Sequence, residues 1–260
     1  MISLKRLVSR FGVVGARMSP VLWVACEPPP ISTLSAEEGI TRIRGSHQDA
    51  SYERVIQEVD EYKSRYPYSQ YAKEAEMLQA DAYFNSRKFT EAIVAYEEFL
   101  RRNPSDEKVP FAHFRVASSY DKQAPEEEDR EQYFTQKALD KYALFIENYK
   151  DSGYWNEAKE RFAILKRRLA DHHHFVASFY FRKEKFEAAL GRYLFLEKNY
   201  PEYAEYVQVS REKAAICYQE LAHELEQDPK SDLKRIFLGA TPESLRKMGA
   251  DLQKKLGGGM

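Results

Sequence analysis

Cysteine is nearly absent from the chain: 260 residues include two, Cys26 and Cys217, so at most one internal disulfide is available. Glycine and proline are sparse at 11 residues each, too few for a sheet protein built on many turns. Abundant Glu, Lys, Ala, Leu, Arg and Tyr favour helices instead. No run approaches the roughly 18 apolar residues needed to span a bilayer, which excludes a polytopic membrane protein. Neither charge sign dominates, since 40 Lys and Arg face 41 Asp and Glu, and 43% apolar with 31% charged residues describes a globular chain. Also missing are a nucleophile elbow, a phosphate loop, a dinucleotide fingerprint and a paired-histidine metal motif. Catalysis therefore has no visible residue to carry it, no cofactor is expected, and the chain reads as non-enzymatic.

The amino terminus carries what the rest does not. Lys5, Arg6, Arg10 and Arg17 are cationic, no acid precedes Glu27, and "MSPVLWVAC" ends in a small residue followed by Cys26. Residues 1–26 look like a bacterial lipoprotein export signal in which Cys26 becomes the lipid-bearing first residue. Trp23 stands where such signals usually have Leu, and the alternative is an ordinary disordered leader. Residues 27–36 begin "EPPPISTLS", a stiff, non-helical tether. Removing residues 1–26 takes away four cations and no acid, moving the net charge from -1 to -5, which argues against nucleic-acid binding. Cys217, left alone, sits in "AAICYQELA" on an apolar helical stripe and is expected as a small buried residue.

The remaining signal is a repeat. "FTEAIVAYEEFLRRNP" from Phe89 is echoed 97 residues later by "FEAALGRYLFLEKNYP" from Phe186, which aligns Ala92, Tyr96 and Pro104 with Ala189, Tyr193 and Pro201. Ala92 and Tyr96 lie one helical turn apart, and Pro104 ends the helix. Upstream, Ala80 and Tyr83 mark another helix, separated from the first by the polar break "NSRK". The unit is a helix pair of about 34 residues resembling the tetratricopeptide repeat, which must stack on copies of itself to bury its apolar faces. The template recurs at Ala177, Tyr180, Phe186, Ala189 and Tyr193, and more loosely at Tyr52, Val55, Val59 and Pro67. A third copy, from Ala117 and Tyr120 to Ala138, Tyr142 and Phe145, holds 18 residues where the template has nine, the surplus being the acidic "KQAPEEEDREQYF". Ala215 and Tyr218 begin a fifth unit whose second helix is unassigned.

Apolar residues at 155, 158, 162, 165 and 169 step in threes and fours, and after a two-turn step of seven the stripe resumes at 176 and 179, so Tyr154 to about Arg182 reads as a single long helix. "DHHHF" at Asp171–Phe175 is not a metal site, because adjacent helical residues diverge by about 100°. The acids Glu126 to Asp129 lack the pattern of a calcium loop and read as a solvated run. The predicted fold is all-α: a right-handed superhelical stack of about five helix pairs over residues 37–228, followed by a C-terminal extension, 229–260, with a short helix.

Three stretches narrow the field: "RYPYSQYAKEAEMLQADAYF", the enlarged third repeat, and "RFAILKRRLADHHHFVASFYFRKEKFEAALGRYLFLEKNYP". Together they resemble the BamD family of lipoproteins in the bacterial outer-membrane β-barrel assembly machinery, over roughly residues 40 to 225. The resemblance implies a scaffold on the periplasmic face of the outer membrane, binding BamA and unfolded outer-membrane protein precursors. In tetratricopeptide stacks the concave wall is built from first helices. The template puts Met77, Asp81, Phe84 and Asn85 on that wall as a precursor groove, with Tyr68 and Tyr71 near its entrance. The resemblance places the BamA contact toward the C-terminal repeats, where Arg192, directly ahead of inward-facing Tyr193, is the candidate. Competing readings are a periplasmic repeat adaptor for envelope division or polysaccharide export, and an enzyme built from scattered acids. Departures from the family are the irregular signal, Gly39 and Gly45 in the first helix, and the tail "TPESLRKMGADLQKKLGGGM".

Overall fold

The computed structural model describes residues 29–228 and 240–257, so Cys26 and the leader lie outside the described residues. After a short 3-10 turn at Ile31–Thr33, helices follow one another as pairs. They are α1 (Ala36–Gln48) with α2 (Tyr52–Arg65), α3 (Ala72–Asn85) with α4 (Phe89–Arg102), and α5 (Val109–Asp121) with α6 (Tyr133–Asn148). Then come α7 (Trp155–Arg182) with α8 (Phe186–Asn199), and α9 (Ala204–Gln227) with α10 (Pro242–Gly257). Among the described residues there is no strand, and each helix packs chiefly on its neighbours in sequence, as a tetratricopeptide-like stack requires.

Local chemistry sets the boundaries. Ser35 caps α1 in a capping box, its hydroxyl accepting from the Glu38 N–H while the Glu38 carboxylate accepts from the Ser35 N–H. Three of the turns inside pairs share one device. Ala50, Arg87 and Glu184 adopt φ of 54°, 64° and 56°, the left-handed position that closes a helix C-terminus. The following N–H then reaches back to the last turn, as from Lys88 to the Tyr83 carbonyl at 2.9 Å. Packing at Gly39 is tight: a Cβ there would lie 3.0 Å from the ring of Tyr62, which is itself fully buried.

The repeat positions form the core. Ala80, Ala117, Ala177 and Ala215 on first helices, and Ala92, Ala138 and Ala189 on second helices, are fully buried and let the helices approach. Tyr96, Tyr142 and Tyr193 fill the space between them. Their hydroxyls find polar partners on the preceding helix: Asp81 for Tyr96, Asp121 for Tyr142 and Ser178 for Tyr193.

The long helix α7, 28 residues, exists because it serves two cores. Ala158 and Leu165 pack with Phe114, Tyr142 and Phe145, while Leu169, Ala170 and Ala177 pack with α8 and α9. A break near Ala170 would uncouple them. The surplus of the third repeat is divided between a loop over residues 122–132 and an earlier start of α6, whose Tyr133 precedes Ala138 by more than a turn. Within the segment read as an extension, α10 runs antiparallel along α9. Leu245 and Leu252 are buried, Gly249 meets the Ala215 carbonyl, and Arg246 pairs with Glu226 at 2.6 Å. It supplies the second helix that the fifth pair lacked. Cys217 is buried in this core, and burial pushes its thiol up to about 12.

Candidate functional site

The inner face of α3 and the starts of α5 and α7 together border a cleft. Met77 and Asp81 from α3, Glu107, Lys108 and Phe111 from the start of α5, and Tyr154 capping α7 line an open space of about 400 Å³. Phe111 is its centre, 5.5 Å from the Tyr154 ring and 6.3 Å from Tyr96. Tyr154 is held in turn by stacking on Phe114 at 4.9 Å. A second cleft, about 410 Å³, shares Glu107, Phe111 and Tyr154 and continues past them to Tyr149 and Ser152. An aromatic ridge with a hollow on each side is the arrangement by which a surface can seat successive side chains of an extended peptide.

The expected wall residues divide. Met77 is 2% exposed and can offer only the floor of the cleft. Asp81 accepts the Tyr96 hydroxyl at 2.5 Å; burial raises its pKa, opposed by that hydrogen bond and by the Arg115 and Lys108 charges. Phe84 follows one turn further along α3, edge-on to Phe89 at 5.6 Å and under the Arg115 guanidinium at 4.3 Å. Asn85 is exposed at the helix end. Tyr68 and Tyr71 do not line the cleft. Tyr68 is 99% exposed in the α2–α3 turn, while Tyr71 packs against the N-terminal core with Arg44 over its ring at 5.8 Å. Lys108, Phe111, Arg115 and Tyr154 were not anticipated. Lys108, Phe111 and Arg115 step by three and four from the start of α5, and that helical periodicity was the available signal.

At the other end, Arg192 is exposed and in no ion pair among the described residues, its neighbour Tyr193 pointing into the core. Glu197, a candidate partner, is taken by Arg211 at 2.8 Å. Beside Arg192 on α8 is Phe195, 41% exposed, whose ring lies 4.5 Å from His173. Burial, aided by the charges of His172 and Arg192, pushes His173 down to about 4. The three consecutive histidines diverge. His172 Nδ1 meets the Glu128 carbonyl of the inserted loop at 2.7 Å, His173 lies against Phe195 and Tyr200, and His174 stacks on Tyr206 at 5.0 Å. Arg167 ties α7 to α9 through Glu205, is braced by Asp171 on its own helix, and covers the rings of Tyr203 and Tyr206. Among the described residues no cluster of His, Cys, Asp and Glu has the makings of a metal site, and no helix is long and apolar enough to cross a membrane.

Comparison with known proteins bears on both surfaces. The chain is 26% identical over 183 residues to the outer membrane protein assembly factor BamD of Vibrio cholerae, covering 67% of this chain and 76% of that protein. It is 25% identical over 165 residues to the BamD of Xylella fastidiosa, covering 60% of this chain and about half, 54%, of that longer protein. The BamD of Neisseria meningitidis is 23% identical over 196 residues, 72% of this chain and 73% of that protein. The model of the YfiO family, described as outer membrane lipoprotein, matches residues 38–233, which runs from within α1 through α9 and takes in both clefts and Arg192, and the chain belongs to that family.

Proposed function

We propose that the chain is a non-enzymatic scaffold for outer-membrane protein assembly, tethered through Cys26 to the periplasmic face of the outer membrane. In this reading the C-terminal pairs hold BamA by way of Arg192, and the clefts around Phe111 receive unfolded barrel precursors. The observation that carries it is the family match over residues 38–233, from within α1 through α9, together with the shared name of its relatives as assembly factors.

The geometry supports the precursor half. An unfolded barrel segment is extended, with side chains alternating to opposite sides, and needs apolar hollows at intervals with polar groups between them. The two hollows flanking Phe111 and Tyr154, rimmed by Lys108, Glu107 and Ser152, have that character. Lipid attachment at Cys26 would supply the stable membrane hold that a single acyl chain lacks. Cys26→Ser then releases the protein into the soluble fraction.

The test of the groove is the affinity of the full chain for a fluorescent barrel-derived peptide. Phe84→Ala is expected to weaken it by about 1 to 3 kcal/mol, the range of an anchoring aromatic. Unchanged affinity with an unchanged melting temperature would move the site off this wall.

A further inference from the structure

Arg115 is held in an unusual way. Its guanidinium lies 4.3 Å from the Phe84 ring centre and 5.0 Å from that of Phe111, so aromatic rings of α3 and α5 fix it rather than hydrogen bonds. Its Nε is buried with no acceptor, and among the described residues it enters no ion pair. Asp81 feels the Arg115 charge, yet its carboxylate is engaged by Tyr96 and makes no ion pair with Arg115. An arginine is seldom left so. Stacking strips water from the faces of the guanidinium while its N–H groups, all in the plane, stay uncommitted. The covered Nε is out of reach from solvent, so a ligand oxygen would meet the terminal N–H groups, which make no hydrogen bond among the described residues.

Its place in the fold says what the ligand is. Lys108, Phe111 and Arg115 occupy one face of α5, and Lys108 and Phe111 already line the cleft with Met77 and Tyr154. A chain whose apolar side chain fills that cleft passes Arg115 within a residue or two. A planar, rigid fork of donors matches a carboxylate in two-pronged fashion, which a lysine copies poorly.

We propose that Arg115 is an anchor for a peptide carboxylate, either the chain end or a Glu or Asp side chain, at the edge of the Phe111 cleft. The inference rests on the reading of that cleft as a peptide groove and names the chemistry the groove selects.

Three forms of one fluorescent octapeptide of alternating aromatic and polar residues decide it, each titrated against the full chain. The first ends in a free carboxylate with Gln inside, the second is amidated with the same Gln, and the third is amidated with Glu in its place. A carboxylate-bearing form should bind about tenfold more tightly than the form with none, the scale of one charge-assisted contact. The first form prevailing identifies the chain end, and the third identifies a side chain. Arg115→Gln should erase the gap, and Arg115→Lys, which keeps the charge and guards against a folding defect in the first variant, should restore part of it. Equal affinity for all three forms, or a gap that survives both substitutions with the melting temperature unchanged, overturns the anchor and leaves the groove standing. Failure of every form to bind the wild-type chain overturns the groove reading as well.

Discussion

Asp121 at the end of α5 accepts two hydrogen bonds from Arg161 on α7, Nε to Oδ2 at 2.7 Å and Nη2 to Oδ1 at 2.8 Å. The Tyr142 hydroxyl donates to the same carboxylate at 3.3 Å, so one buried acid joins three helices where the third pair meets the long helix. The pairing is asymmetric, because the Asp121 side chain is 5% exposed and that of Arg161 is 35%. Without Asp121 the guanidinium can turn to water. Without Arg161 the carboxylate cannot. Arg161→Met should therefore cost more in urea unfolding, on the order of 3 kcal/mol, than Asp121→Asn at about 1 to 2. Equal losses would mean that the pair behaves as an ordinary surface contact.

The left-handed residues of three turns make a second prediction. Ala50, Arg87 and Glu184 each hold a conformation that favours glycine. Glycine at these positions relieves a strain of about 1 kcal/mol or more, less the entropy it costs the folded chain. Ala50→Gly, Arg87→Gly and Glu184→Gly should each raise stability by up to about 1 kcal/mol; Glu184→Gly should add to either of the others, whereas the first two turns, bridged by Lys88 and Glu53 at 2.7 Å, can couple. A lower melting temperature in any of them would show that the side chain there is needed for packing.

Much of this was legible in the sequence because helix pairs repeat. The offsets of Ala92, Tyr96 and Pro104 place α4, and the same offsets place α8. The steps from Trp155 to Phe179 reveal α7, whose length answers to the two cores it joins. α10 was obscure for a physical reason: it needs only Leu245, Leu252 and the small Gly249 to seat on α9, a stripe too thin to stand out. The cleft was half legible. Met77 and Asp81 follow from the template on α3, while Phe84 lies one turn beyond the lining, and Tyr154 precedes its helix as an N-terminal cap, where a periodic pattern assigns no face. Tyr71 shows the opposite failure, since a junction tyrosine served the N-terminal core.

His173 makes the fold sensitive to acid. Its pKa falls from an ordinary 6.5 to about 4, chiefly through burial, so the folded state resists a proton that the unfolded chain accepts. That contribution is fully present above about pH 6.5 and is lost as the pH drops toward 4. His113 and His174 are lowered by burial too and act in the same direction. The melting temperature should decline between pH 7 and pH 5, and His173→Phe, which fits beside Phe195 and Tyr200, should flatten part of that decline. An identical slope in the variant would place the acid sensitivity elsewhere.

The central claim, a scaffold that holds BamA through its C-terminal pairs, is tested most directly by capturing BamA with the full chain after crosslinking in native membranes. The account predicts that wild type retains BamA, that Arg192→Leu loses it, and that Arg192→Lys keeps a part, since a lysine supplies the charge without the two-pronged geometry. Arg192 is exposed and makes no ion pair among the described residues, so both variants should melt as wild type does. Wild-type capture by both variants would return Arg192 to ordinary surface. Absence of BamA from the wild-type capture would contradict the account itself.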